Sequence, residues 1–284
     1  MTFSLQELVR PKAARIPSLP QIYLQLTEVL DNPRSASGHI AEVISRDSGL
    51  TARLLRLVNS AFYAFPTRVE SISHAVILVG TQQIRDLALA TAVLRIFKGI
   101  STDLVDMESF WLHSIATGVA ARLLAAQRKE VNTERYFVAG VLHDIGRLLM
   151  FRTWPDEARA ALAQARRTEG SLLEIERQVF GFDHGVAGGE LLHAWDLPGV
   201  LTEMTRYHHA PADARQHPVE VAVVHVADVV AAALELGHSG DDAVPRLSPV
   251  AWERLALPAG AVSTVAVQSE RQVAEVRRSM LVEG

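Results

Sequence analysis

One apolar stretch, residues 137–150, carries a histidine and an aspartate side by side in its middle. Its apolar side chains recur at positions 137, 138, 141, 142, 145, 148, 149 and 150, a spacing typical of a largely buried helix. Burying a polar group without a partner costs about 2–7 kcal/mol. We therefore expect His143 and Asp144 to meet either a polar network or a metal ion.

The composition narrows the chemistry that such a site can use. The 284 residues include no cysteine, which excludes disulfides, thiolate zinc sites and cysteine nucleophiles. A metal here would bind histidine, aspartate or glutamate, which favours iron, manganese, nickel, zinc or magnesium. The net charge of −4 and the lack of a basic stripe argue against a nucleic-acid partner. Neither a signal peptide nor a membrane segment is indicated, so we expect a cytoplasmic protein with no membrane partner.

Helical apolar spacing recurs along the whole chain, and no segment alternates for long enough to predict a sheet. Five short helices are expected before residue 100, followed by a joint at residues 99–102 and a longer helix over about 107–128. The sequence therefore predicts an all-α fold. We divide it into an N-terminal helical subdomain over 1–100, a second helical subdomain over 101–240 and a C-terminal helical extension over 241–284.

Seven polar side chains on the predicted helices have the residue types that hard and borderline divalent metals prefer. They are His113, His143, Asp144, His184, His208, His209 and Asp228. Because facing helices of a bundle direct side chains toward a shared point, these groups could bind two ions bridged by Asp144. Such a pair carries excess positive charge, which attracts phosphate, and it activates water for attack on phosphoesters. Arg147, four residues after His143, could hold a phosphate oxygen; Asp144 and Arg147 are the catalytic candidates if the protein is an enzyme.

Simpler interpretations of the same residues stay open. A metal-free network of His143 and His113 could satisfy Asp144, and Arg147 could be a solvated or salt-bridged helix residue. His225, one turn before Asp228, would then only orient that carboxylate. The remaining histidines are interpreted as surface or ordinary helix residues: His39, His74, His193, His217 and His238.

A set of motifs over about residues 15–240 resembles the HDOD family, the bacterial HD-related output domains. The motifs are IPSLP at 16–20, DSGLTARLLRLVNSAFY at 47–63, SHAVILVG at 73–80, FWLHS at 110–114, AGVLHDIG at 139–146, GFDH at 181–184, WDLP at 195–198 and YHHAP at 207–211. The resemblance implies an N-terminal helical bundle packed on an HD-like helical bundle. It also implies a role in bacterial signal transduction or gene regulation.

The ligand pattern is also similar to that of the related HD-GYP phosphodiesterases, which hydrolyse cyclic di-GMP at a metal site. Three departures separate this chain from them. Arg147 stands where those enzymes have lysine, and residues 210–218 read APADARQHP where they have a Gly-Tyr-Pro loop. Ser109 stands where a carboxylate would hold a third metal, with Glu108 one position away.

Three functions follow as alternatives. The first is a regulatory module that binds a signalling protein partner, with or without a metal. The second is a metal-dependent phosphohydrolase acting on a nucleotide or signalling dinucleotide. The third is a sensor that captures a phosphorylated small molecule without cleaving it. We favour the first. The complete ligand set supports the second and third, whereas the missing substrate loop argues against the second as a cyclic di-GMP enzyme. With no receiver or sensor domain visible in the sequence, the input is expected from another protein, from a small ligand or through the C-terminal tail.

Overall fold

The computed structural model describes residues 3–8, 17–32, 37–97, 99–168, 170–241 and 243–281. All regular structure within these ranges is helical, and none of it is β-strand. The predicted all-α class is therefore confirmed. The helices are α1 Leu5–Leu8, α2 Gln21–Asp31, α3 Ser37–Ser45, α4 Ser48–Val58, α5 Ile72–Val79, α6 Thr81–Val93, α7 Met107–Gln127, α8 Thr133–Leu142, α9 Ile145–Thr153, α10 Pro155–Thr168, α11 Leu172–Phe180, α12 His184–Ala194, α13 Gly199–Tyr207, α14 Pro218–Ala233, α15 Pro249–Leu255 and α16 Ala259–Leu281.

The chain divides into two compact units by its internal contacts. The larger unit comprises Met1–Pro17 and Lys98–Ser269, and the smaller comprises Ser18–Phe97 and Glu270–Gly284. The predicted division at residues 100 and 240 stays a prediction.

The smaller unit is built from short helices whose ends are fixed by polar side chains. Asp47 caps α4 by accepting a hydrogen bond from the Leu50 N–H at 2.8 Å, which satisfies a donor that the first helical turn leaves free. After α4, the Asn59 side chain accepts from the Val69 N–H and donates to its carbonyl oxygen, both at 2.8 Å. These contacts fix the loop between α4 and α5, while α3 packs on α5 and α2 packs on α6.

The larger unit holds all seven candidate ligands on helices or at helix ends. Its long helix α7 packs against α8 and α14, and α12 packs between α9 and α13. Two glycines allow α7 and α8 to approach closely, because a Cβ on Gly140 would lie 2.5 Å from the backbone nitrogen and Cα of Gly118. Their close contact brings His113 of α7 near His143 at the end of α8.

The segment predicted as one helix over 137–150 is two helices. α8 ends at Leu142 and α9 begins at Ile145, with Asp144 at φ −96° and ψ 4° between them. The continuous prediction is wrong because both helices are buried on nearly all sides, so apolar spacing continues across the break. The break places His143 and Asp144 where two helices meet.

Within the described residues, we find no single helix long and apolar enough to cross a membrane. Helices α5 and α6 reach the required length and hydropathy only together, and they are bent by 117° at the break between them.

Candidate metal centre

The seven predicted ligands lie together in the larger unit as two adjoining clusters. His113, His143 and Asp228 form the first, which we call the Asp228 cluster; the second, the His209 cluster, consists of Asp144, His184, His208 and His209. Within each cluster, one ligand atom from every residue lies within 4.8 Å of the others. The structure thus brings together residues separated by more than a hundred positions.

Asp144 lies between the clusters and presents one carboxylate oxygen to each. Its Oδ1 is 2.9 Å from His184 Nε2 and 3.7 Å from His208 Nε2. Its Oδ2 is 3.3 Å from His143 Nε2 and 3.9 Å from His113 Nε2. This placement is the one that a carboxylate bridging two ions would need.

Three histidines are oriented by hydrogen bonds on the side of the ring that faces away from Asp144. His143 Nδ1 donates to the Gly140 carbonyl at 2.7 Å, and His208 Nδ1 donates to the Thr205 carbonyl at 2.6 Å. His184 Nδ1 lies 2.6 Å from Glu176 Oε2. A proton held on Nδ1 leaves the lone pair of a neutral imidazole on Nε2, as metal-binding histidines require.

The buried atoms of the centre fit a cation. Among the residues that the structure describes, the buried atoms His143 Nε2, His208 Nε2 and Asp144 Oδ1 make no hydrogen bond of good geometry, although Asp144 Oδ1 lies 2.9 Å from His184 Nε2. Buried polar atoms are rarely left without a partner, so such a group needs an explanation such as an ion. His209 Nε2 also lies only 3.0 Å from His184 Nε2. The donor set of imidazole nitrogen and carboxylate oxygen is suited to a divalent first-row metal.

Arg147 is buried beside this centre and bound by protein groups. Its Nε donates to Glu176 Oε1 at 3.1 Å, and its Nη1 donates to both the carbonyl and the hydroxyl oxygen of Ser239. Its Nη2 lies 2.9 Å from His184 Nδ1. Of the two interpretations of Arg147, the salt-bridged one describes these contacts: Nε and Nη1 have protein acceptors, and Nη1 also lies 3.8 Å from Asp144 Oδ2.

Sequence reasoning missed Glu176, the partner of both Arg147 and His184. A signal for it exists, because Leu172, Glu176 and Phe180 follow one another at four-residue spacing on the buried side of α11. An acidic residue at an apolar position of an amphipathic helix indicates a buried partner.

Two histidines have surroundings that the sequence did not predict. His225 Nδ1 donates to the His208 carbonyl at 2.6 Å and its Nε2 accepts from the Ser248 N–H at 2.9 Å. It therefore fixes the backbone of the paired histidines, whereas we expected it to orient Asp228. His238 belongs to the loop after α14 and lines a cavity of about 490 Å³ with His113, Asp144 and Asp228.

Charge within the centre shifts the pKa values of its groups in opposite directions. Burial raises the pKa of Asp144, but the charges of His143 and Arg147 outweigh it and hold that pKa well below its usual range. Burial lowers the pKa of His143, but attraction to Asp144 and Asp228 raises it to about 10. Burial and the positive charge of Arg147 lower the pKa of His184, but the negative charges of Glu176 and Asp144 raise it to about 9.

These shifts predict how the stability of the metal-free protein depends on pH. The folded pKa values of His143 and His184 lie above the unfolded value of about 6.5. Their contribution to the free energy of unfolding is therefore complete below about pH 6.5 and is lost as the pH rises toward 9–10. Urea denaturation with a chelator, from pH 6 to 10, should show this decline. Saturating Mn²⁺ should abolish it, because the ion takes the place of the protons; a decline of equal size with Mn²⁺ would contradict the assignment.

Comparison with known proteins places this chain in one family. A sequence model of the HDOD domain matches residues 16–211. An uncharacterized protein of Treponema pallidum (strain Nichols) is 27% identical over 210 residues, which are 73% of this chain and 40% of that protein. The chain therefore spans less than half the length of this curated relative.

Solved structures share the fold. An HDOD domain protein of unknown function from Geobacter sulfurreducens superposes with a TM-score of 0.76 at 24% identity, covering 96% of each chain. A second solved structure, from Shewanella amazonensis SB2B, superposes with a TM-score of 0.69 at 22% identity, covering 97% of this chain and 96% of that one. Its name gives that protein a proposed assignment as a metal-dependent phosphohydrolase.

Proposed function

The chain belongs to the HDOD family, and on that premise we propose that it is a regulatory signalling protein built around a divalent-metal centre. The observation that carries the proposal is the orientation of three buried imidazoles, whose Nε2 atoms converge on the two oxygens of Asp144. His113, His143 and Asp228 would hold one ion, and His184, His208 and His209 a second, with Asp144 between them. A bound divalent ion supplies Lewis acidity and a positive charge that attracts anions.

The regulatory role is supported by how Arg147 is bound. A phosphohydrolase places metal ions or cationic side chains against the transferring phosphate, and among the described residues Arg147 is the cationic side chain nearest this centre. Arg147 donates to Glu176 and Ser239 through Nε and Nη1 and lies against His184, so these two nitrogens would have to leave their acceptors before they could bind a phosphate. We infer that Arg147 stabilises the centre and that the protein passes its signal by binding a signalling partner or a phosphorylated ligand.

Phosphohydrolysis is the second candidate, and the cavity beside the centre favours it. The cavity of about 490 Å³ reaches Asp144, Asp228 and His209, and small-molecule sites typically enclose about 300–1,000 Å³. The name of the Shewanella amazonensis protein also suggests this chemistry for that relative.

Metal analysis combined with an activity screen distinguishes these functions. The purified chain, loaded with Mn²⁺ or Fe²⁺, is incubated with nucleotide monoesters, linear dinucleotides and cyclic dinucleotides, beside Asp144→Ala as the inactive control. We expect bound metal and no product above that control. Metal-dependent turnover lost in Asp144→Ala would establish a phosphohydrolase instead, and the lack of any bound metal would contradict the metal centre itself.

A further inference from the structure

The two clusters differ in charge. Both carboxylates of the centre lie at the Asp228 cluster, where Asp228 Oδ1 is 3.1 Å from His113 Nε2 and Asp144 Oδ2 is 3.3 Å from His143 Nε2. The His209 cluster has three imidazoles and one carboxylate oxygen, Asp144 Oδ1. A divalent cation is therefore attracted more strongly to the Asp228 cluster.

Arg147 increases this difference, because its guanidinium lies closer to His184 of the His209 cluster than to Asp144 Oδ2, which is 3.8 Å from its Nη1. Its Nη2 lies 2.9 Å from Nδ1 and 3.3 Å from Nε2 of His184. The side chain is 2% exposed and donates hydrogen bonds to Glu176 and Ser239. A permanent positive charge at this distance repels an ion bound by His184.

The buried charges of the centre balance one divalent ion and not two. Asp144, Asp228 and Glu176 contribute three negative charges, Arg147 contributes one positive charge, and ligating histidines are neutral. With every histidine of the centre neutral, one divalent cation brings the buried total to zero, whereas two leave an excess of two positive charges. Uncompensated charge inside a protein is costly, so the second ion needs an accompanying anion.

An anion can approach the excess positive charge of a two-ion centre through the cavity beside it. Its lining includes His209 and Asp144 of one cluster and Asp228 and His113 of the other. Asp241 and Glu235 also line it, but Glu235 is exposed to solvent and Asp241 is partly exposed and accepts from the Leu172 and Ala243 N–H groups. An anion in the cavity can therefore reach both clusters.

We propose that the Asp228 cluster, with Asp144, takes one divalent cation by itself, and that the His209 cluster fills only together with a phosphate group. The inference rests on the proposed metal centre and adds its ligand class and its order of filling. With only the first ion bound, the protein is expected to bind phosphate weakly. Coupling between two ligands is reciprocal, so phosphate and the second ion each raise the affinity of the protein for the other by the same factor.

The experiment is equilibrium dialysis of the full chain against Mn²⁺, with the bound metal counted by mass spectrometry. Three conditions are compared: no added anion beyond chloride, inorganic phosphate, and adenosine monophosphate. We expect about one ion per chain in chloride and about two in the presence of a phosphate group, with at least about a tenfold gain in affinity for the second ion. A second ion with only one of the two phosphate compounds identifies the source of the ligand.

Variants test the two parts of the inference separately. His209→Ala should keep the first ion and lose the phosphate-dependent second one, while exposed His193→Ala on α12 serves as the matched control and should behave as the parent protein. Arg147→Met should take up the second ion in chloride alone. If Arg147→Met does not fold, His209→Ala still tests whether the second ion binds at the His209 cluster.

The outcomes separate this inference from the proposed function. No bound Mn²⁺ under any condition would overturn both. Two ions in chloride, or one ion in all three conditions, would overturn the order of filling and leave the metal centre intact. An unchanged second ion in His209→Ala would overturn the assignment of that ion to the His209 cluster.

Discussion

Asp144→Asn is expected to lower the affinity of the protein for divalent metal by at least about 100-fold. The carboxylate faces His143 with one oxygen and His184 with the other, whereas an amide offers one oxygen and no charge. Replacing groups that only orient metal ligands already costs about 10–100-fold, so the loss of a bridging ligand should cost at least the upper value. Isothermal titration with Mn²⁺ measures the effect.

The control for this variant is Asp196→Asn, a substitution at an exposed residue with φ 55° after α12, where asparagine is tolerated. It should bind Mn²⁺ as the parent protein does. Circular dichroism should show the same helical content for both variants. Equal Mn²⁺ affinity in Asp144→Asn and Asp196→Asn would mean that Asp144 is not a ligand.

Glu176→Gln is expected to lower the free energy of unfolding by about 3–5 kcal/mol, the range found when one partner of a buried ion pair is removed. Glu176 is 2% exposed, accepts from Arg147 Nε at 3.1 Å and lies 2.6 Å from His184 Nδ1. Glutamine leaves the buried guanidinium without its countercharge and orients the His184 ring less well. Urea denaturation at pH 7 with a chelator measures the loss.

Glu174→Gln is the matched control, because Glu174 is exposed on the same helix. Surface substitutions usually change stability by no more than about 0.5 kcal/mol. If the two variants lose the same stability, Glu176 is not the buried countercharge of Arg147. The Mn²⁺ affinity of Glu176→Gln should also fall, by about 10–100-fold, since Glu176 orients His184.

The helices and the grouping of the seven polar residues could be predicted because both leave local signals. Apolar spacing marks the helices, and a histidine or aspartate at an apolar position of such a helix must point inward. The ends of α7 were also predictable, since Met107–Gln127 agrees with the expected helix over 107–128.

The surroundings of Arg147 could not be predicted in the same way. Glu176 and Ser239 lie 29 and 92 residues away along the chain, and tertiary pairing at such separations has no periodic signature. The break between α8 and α9 was missed for a related reason. Both sides of the break are buried, so hydropathy gives no minimum there.

The most direct test of the metal centre is the position of the ion. A crystal of the protein grown with Mn²⁺ and measured at an X-ray wavelength where manganese scatters anomalously locates bound metal without assumptions about its ligands. We expect an anomalous peak within coordination distance of an Asp144 oxygen and of His143 Nε2. Full-occupancy manganese only at other sites, with none beside Asp144, would contradict the metal centre.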